Sequence, residues 1–170
     1  MKSWLAKIRR KWEALRQLRS PGRGWYFLRV AGFAAAVPVL MRLRLPVLHR
    51  LLERRIAAAV RVESDSPGPG EMLRCVESVL AVGRPLVRPG CLTRGLTRYY
   101  FLRRAGVDVT LRFGARCRNG ELMPAAGHCW LEQGGEPFLE SGNPYRYCVP
   151  IYTLPATCPP AGAAGLTQAP

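Results

Sequence analysis

The stretch Pro89-Gly-Cys-Leu-Thr-Arg-Gly-Leu-Thr-Arg-Tyr-Tyr-Phe-Leu-Arg-Arg-Ala-Gly-Val-Asp-Val-Thr-Leu-Arg-Phe113 changes its hydrophobic period halfway along. From Cys91 it reads as a helix that opens just after Pro89-Gly90 and closes at Gly106. Beyond that glycine, Val107, Val109, Leu111 and Phe113 alternate with Asp108, Thr110 and Arg112, the period of a half-buried strand. A helix that hands over to a strand, with only helical patterns before it and strand patterns after it, predicts an α+β domain.

Downstream, Arg118-Asn119-Gly120 reads as a turn, Gly127–Glu132 as a second strand, Gln133-Gly-Gly-Glu136 as a hairpin turn and Pro137–Glu140 as a third strand. Upstream, Glu71–Val82 carries Met72, Leu73, Val76, Val79 and Leu80 at helical spacing. Pro46–Val62 does the same with Val47, Leu48, Leu51, Leu52, Ile56 and Ala59. Trp25–Met41 is a further helical stretch, kinked or ended near Pro38, and Ser20-Pro-Gly-Arg-Gly24 breaks the pattern before it. Residues 4–18 place Trp4, Leu5, Ile8, Trp12, Leu15 and Leu18 on one stripe among basic residues. The predicted organisation is a basic amphipathic helix over 1–24 and a helical lead and linker over 25–70, the turn-rich Glu63–Gly70 closing it. A core over 71–154 follows, with the Cys helix packed on a small antiparallel sheet, and then a disordered Ala/Pro/Gly-rich tail over 155–170.

The net charge of +15 is unevenly spread: residues 1–62 hold 15 Lys/Arg against Glu13 and Glu53, and residues 63–170 hold 11 basic against 9 acidic residues. The first part is thus a basic appendage suited to anionic lipid, an acidic polypeptide or nucleic acid, and the second a nearly neutral globular domain. Nucleic acid is the weakest of these partners, because no fold for reading it is recognisable. Six cysteines in a chain this long and apolar, without a secretory signal and with no Cys-x-x-Cys pair, read as reduced thiols in a cytoplasmic protein. Neither a metal nor any other cofactor is implied. The apolar run Val30–Met41 spans 12 residues, short of the ~20 a bilayer crossing needs. Contact with a membrane surface through residues 1–41 remains open.

Chemistry enters with three residues. Cys91 begins a helix, His128 follows 37 residues later within a strand, and Glu140 comes 12 residues further, one hairpin away. A thiol on the first turn of a helix sits at the positive end of its dipole, which favours the thiolate, and free backbone N–H groups there can hold an oxyanion. An imidazole takes the thiol proton, and a carboxylate behind it fixes its tautomer. Each residue alone has a plainer reading: a packed cysteine, a core or surface histidine, a solvated glutamate. Trp130 shares a strand face with His128 and reads equally as a site wall or a core aromatic. Arg94, Arg98 and Arg103 read as the solvated face of the Cys helix, with binding of substrate carboxylates as the alternative.

Pro89-Gly-Cys-Leu-Thr-Arg-Gly-Leu, Leu102-Arg-Arg-Ala-Gly-Val-Asp-Val-Thr-Leu-Arg-Phe-Gly114 and Gly127-His-Cys-Trp-Leu-Glu132 together resemble the transglutaminase-like cysteine protease superfamily. Within it they are most similar to the leader protease of lasso-peptide maturation, over roughly residues 25–145. The resemblance implies removal of the leader from a ribosomally made precursor, with Cys91 as nucleophile, His128 as base and Glu140 as the orienting acid. It also implies a separate leader-recognition protein, since residues 1–62 have no strands for such a module, and a ring-forming cyclase. The sequence departs from that family where Glu140 stands for the usual Asp and where Cys129 stands for a small residue. By strand alternation Cys129 should point away from the site. Asn143 is the alternative to Glu140 as the group that orients the imidazole. Acyl transfer by the same site, and a non-catalytic scaffold docking peptide or membrane through residues 1–62, are the competing readings.

Overall fold

The computed structural model describes residues 21–60, 68–83, 87, 90–118 and 121–155. Its helices are α1 (Pro21–Leu40), α2 (Leu45–Val60), α3 (Pro69–Val82) and α4 (Cys91–Arg104). The strands β1 (Thr110–Arg118), β2 (Glu121–Gln133), β3 (Glu136–Phe138) and β4 (Cys148–Leu154) follow, with a 3-10 turn at Pro144–Arg146 before the last. The fold is α+β, as the change of period predicts.

Helix α4 is the axis of the molecule. Helices α1, α2 and α3 pack on it, and it lies on β2 and β1. Being covered on several sides, it buries Leu96, Tyr99, Tyr100, Phe101 and Leu102 within a single turn and a half, where a surface helix would bury one stripe. The other helices each offer one stripe to the same core: Tyr26, Val30, Ala34 and Val37 from α1, Leu48, Leu52 and Ile56 from α2, Met72, Val76 and Val79 from α3. Aromatic contacts tie α1 to α4, with Phe33 stacked on Tyr100 at 4.3 Å and edge-on to Phe101 at 5.7 Å. Helix α2 is fastened by Tyr99, whose hydroxyl donates to Glu53 at 2.6 Å. The basic lead therefore contributes part of the hydrophobic core.

The sheet is antiparallel in the order β3-β2-β1-β4. Gly134 and Gly135, at φ +60° and +88°, make the two-residue turn that joins β2 to β3, a conformation closed to most side chains. Gly95 sets the spacing between helix and sheet: a Cβ there would lie 2.8 Å from the Cys129 sulfur and 3.0 Å from Leu111 Cδ1. Only a bare Cα lets α4 come this close to β2.

Several element boundaries differ from the sequence reading. Pro21-Gly-Arg-Gly24 is the first turn of α1 instead of a break, because proline is favoured where a helix starts and its missing N–H has no partner to lose. Pro38 lies inside α1, two residues before its end, so little helix remains for it to disrupt. Strand β1 begins at Thr110 instead of Val107 and runs on to Arg118, β2 begins at Glu121 instead of Gly127, and β3 ends at Phe138 instead of Glu140, so the first hairpin is longer than the alternation suggested and the second strand pair shorter. Strand β4 was not anticipated at all; Pro150 in its middle argues against a strand, yet β4 is at the sheet edge, where proline is tolerated. The expected Trp4–Leu18 helix, most of the Glu63–Gly70 linker and the tail from residue 156 lie outside the described residues.

Candidate active site

Cys91 is the first residue of α4, and Gly90 before it is extended, at φ −145°. The carbonyl of Gly90 accepts from Arg94 N at 3.0 Å, which closes the first turn and leaves the N–H groups at its mouth without helical partners. Cys91 is partly exposed at this end.

The thiol of Cys91 is lowered from 9.0 to about 5. The largest cause is a hydrogen bond from the Cys129 side chain; a bond from His128, one from the Cys129 backbone N–H and the charge of His128 add to it, while burial opposes them. Cys129 moves the opposite way. Its bond to Cys91 and its burial push its thiol far up, so it remains a protonated donor. The two thiols share one negative charge, which settles on the one nearer solvent.

This arrangement corrects the expectation for Cys129. Alternation does place it on the face of β2 opposite His128, but that face is the one α4 covers. Cys129 sits beneath the first turn, only 2% exposed, and its sulfur lies 2.9 Å from the Cys91 carbonyl, an acceptor that competes with the Cys91 sulfur for the one S–H proton. The helix start straddles the strand, so neighbouring residues on β2 reach Cys91 from two directions.

His128 is aligned by its neighbours on the other face. Its ring is stacked on Trp130, centroids 6.1 Å apart and planes at 19°, with Tyr147 6.0 Å away. Nε2 lies 3.8 Å from Glu140 Oε2, an ion-pair distance longer than a hydrogen bond, and has no hydrogen-bond partner among the described residues. Of the two candidates for the orienting group, Glu140 is the one at the imidazole. Asn143 is committed elsewhere: its Oδ1 accepts from Tyr145 N at 3.0 Å and caps the 3-10 turn.

Two supporting groups escaped the sequence reading. Glu132, 2% exposed, accepts from Trp130 Nε1 at 2.9 Å, from Arg112 Nε at 2.8 Å and from the Tyr145 hydroxyl. Burial pushes this carboxyl up, but the bonds from Tyr145, Arg112 and Trp130 outweigh it and hold the group below its usual range. Trp130 is thus both site wall and core aromatic, clamped to Glu132 on one side and stacked on His128 on the other. Gly114 makes room for it, since a Cβ there would meet the indole at 2.7 Å.

The second group is Arg98, which is 8% exposed and does not belong to a solvated face. Its Nε donates to Glu77 on α3 at 2.6 Å and its Nη1 to the Leu139 carbonyl at 3.2 Å. Leu139 has φ +60°, a region a leucine adopts only when its surroundings hold it there, and the next residue is Glu140. Arg98 thereby ties the turn carrying Glu140 to the helix carrying Cys91. Of the other two arginines, Arg94 is exposed and Arg103 pairs with Asp108 at 2.7 Å.

A low-pKa thiol on a helix start, an imidazole that helps lower it and a carboxylate 3.8 Å from that imidazole, on an α+β scaffold, define the thiol-dependent hydrolase and acyl-transfer class of site. Residues 35–153 match the family model of the transglutaminase-like superfamily, and the chain belongs to it. That superfamily consists in general of cysteine proteases and transglutaminases. No curated protein and no solved structure matches the chain.

Proposed function

We propose that this chain is a cysteine peptidase that removes the leader from a ribosomally made, lasso-type precursor peptide through a thioester on Cys91. The observation that carries the chemistry is the placement of the Cys91 thiol on the first turn of α4, over Cys129 and with the facing pair His128 and Glu140 at 3.8 Å, which accords with its lowered pKa. The choice of substrate rests on the resemblance of Pro89–Gly114 and Gly127–Glu132 to the lasso-peptide leader protease.

The thiolate attacks the carbonyl carbon of the scissile amide, and the oxygen that becomes negative is taken by first-turn N–H groups of α4. Protonated His128 gives its proton to the leaving amine, the C–N bond breaks and the thioester remains. Neutral His128 then takes a proton from water, the hydroxide displaces Cys91, and the carboxylic acid leaves. Glu140 stabilises the imidazolium stage; its 3.8 Å distance from Nε2 shortens by about 1 Å to reach hydrogen-bond length. A companion that captures the leader and a cyclase that closes the ring are the partners this reading requires, in a cytoplasm that keeps thiols reduced.

The test is incubation of the precursor with the protein and its leader-binding companion, followed by mass spectrometry. Free leader acid is expected, lost in Cys91→Ala and His128→Ala; cleavage by Cys91→Ala overturns the proposal. The superfamily match also favours a second reading, in which an amine replaces water as acceptor of the same thioester. An added primary amine distinguishes them, because acyl transfer leaves a leader–amine adduct in place of the acid.

A further inference from the structure

The outward faces of α1 and α2 are unlike those of an ordinary surface helix. On α1, Trp25, Leu28, Gly32, Ala35 and Val39 recur at the 3-and-4 spacing of one helical face, and all are exposed. This stripe carries no charge, and its three large residues are among the most exposed hydrophobics in the chain, at 64%, 62% and 61% for Trp25, Leu28 and Val39. It lies opposite Tyr26, Val30, Ala34 and Val37, which face the core. Both sides of α1 are thus apolar, although only one is packed.

Helix α2 repeats the pattern with charge added. Leu48, Leu52 and Ile56 face α4, whereas Val47 and Leu51 form an exposed apolar line on the other side, with exposed Leu43 in the turn just before the helix. Arginines border that line: exposed Arg50 and Arg54 along one edge and exposed Arg55 along the other. Arg42 and Arg44, also exposed, stand in the turn between the two helices. Arginine and hydrophobic residues interleaved on a convex helical face match the boundary of an anionic lipid leaflet, where side chains enter the acyl region and guanidinium groups meet phosphates. No helix among the described residues is long and apolar enough to cross a membrane, so the geometry is that of helices lying on one.

We propose that the outer faces of α1 and α2 dock this protein on an anionic lipid surface, with Trp25, Leu28, Val47 and Leu51 entering the interface and Arg44, Arg50, Arg54 and Arg55 pairing with headgroup phosphates. The bilayer is the favoured occupant over an acidic protein, because the apolar area follows two rod-like faces and is not a pocket. Docking of this kind leaves the Cys91 end of α4 untouched, so it holds whether or not the catalytic reading does.

The test is flotation of the full chain with vesicles of phosphatidylcholine alone and of phosphatidylcholine mixed with phosphatidylglycerol. Binding to the mixed vesicles and release by salt are expected, with a loss of roughly fivefold for each of Arg50→Gln and Arg54→Gln. A larger loss is expected for Val47→Ser with Leu51→Ser, and for Trp25→Ser with Leu28→Ser, each variant checked for fold by circular dichroism and for unchanged Cys91 alkylation. Absence of binding to mixed vesicles overturns the proposal. So does binding that these well-folded variants retain, which would assign lipid contact to another part of the chain. A dimer in light scattering that Leu51→Ser dissociates, without vesicle binding, gives the stripe to a second copy and overturns it equally.

Discussion

The two faces of β2 are built on opposite principles. On the face toward α4, Cys129 and Leu131 join an apolar core, and the close approach that Gly95 permits leaves no room for a polar network. On the other face, His128, Trp130 and Glu132 form a polar line, in which a buried carboxylate holds an indole that in turn flanks an imidazole. Cys91 sits where the faces meet and draws on both, a donor thiol from one and an imidazole from the other. Packing on one side fixes where the Cys91 thiol is, and hydrogen bonding on the other fixes how the His128 imidazole is flanked.

The largest predicted effect follows from the polar face. Glu132→Ala leaves the Arg112 guanidinium, the Trp130 N–H and the Tyr145 hydroxyl without their shared acceptor in a buried place. Losing one partner of a buried charged network costs about 3–5 kcal/mol, measurable as a lower midpoint in urea unfolding. Glu132→Gln keeps the shape and an acceptor oxygen, and is expected to cost clearly less. Equal midpoints for Glu132→Ala and the wild type would mean that this face is not organised by the carboxylate.

The apolar face makes its claim through Cys129. Because Cys91 is lowered to about 5, its thiolate persists as pH falls from alkaline values and disappears only as pH passes below that value. Iodoacetamide should then label Cys91 rapidly at pH 6, while Cys75, pushed by burial and by Glu71 up to about 11, stays nearly inert. Cys129→Ala removes the thiol beneath Cys91, and the rate at pH 6 is expected to fall by about tenfold or more, with a labelling curve displaced to higher pH. Cys129→Ser supplies a hydroxyl donor and should recover most of the rate. If His128→Ala abolishes labelling and Cys129→Ala leaves it unchanged, activation comes from the polar face alone.

Much of this was legible in the sequence because it depended on period and order. The alternation of Val107 to Phe113, the glycine pair at 134 and 135, and the spacing of Cys91, His128 and Glu140 are local signals, and the structure brings those three residues together. What was not legible depends on which elements become neighbours. Cys129 looked misdirected because alternation specifies a face, whereas only the packing of α4 specifies what covers that face. Arg98 looked solvated because an arginine two turns into a basic helix usually is; its burial follows from α3 and the Leu139 turn closing over it. Strand β4 was hidden by Pro150, whose tolerance depends on β4 being an edge.

Arg98 gives a smaller effect that still tests how the faces are joined. Without it, the Leu139 carbonyl loses its tie to α4, and Glu140 is free to leave the imidazole. Arg98→Ala is expected to lower kcat by roughly tenfold with KM little changed, about 1.4 kcal/mol in the barrier. Arg98→Lys restores the charge without the two-armed geometry, so partial recovery is expected. A loss of thermal stability with kcat intact would make Arg98 a strut only.

The smallest effect separates Glu140 from Asn143, the two groups that competed for the imidazole. Asn143 caps the 3-10 turn through Tyr145 N at 3.0 Å and lies on an exposed segment, so Asn143→Ala should cost about 1 kcal/mol of stability or less and leave kcat alone. Glu140→Ala should do the reverse, with stability nearly unchanged and kcat reduced, though by less than in Cys91→Ala or His128→Ala, because at 3.8 Å the carboxylate assists the imidazole without being bonded to it. Glu140→Asp shortens the side chain by one methylene and, if reach is what matters, should fall between wild type and alanine. An Asn143→Ala protein with normal stability and depressed kcat would reverse the assignment and move the orienting role to the capping turn.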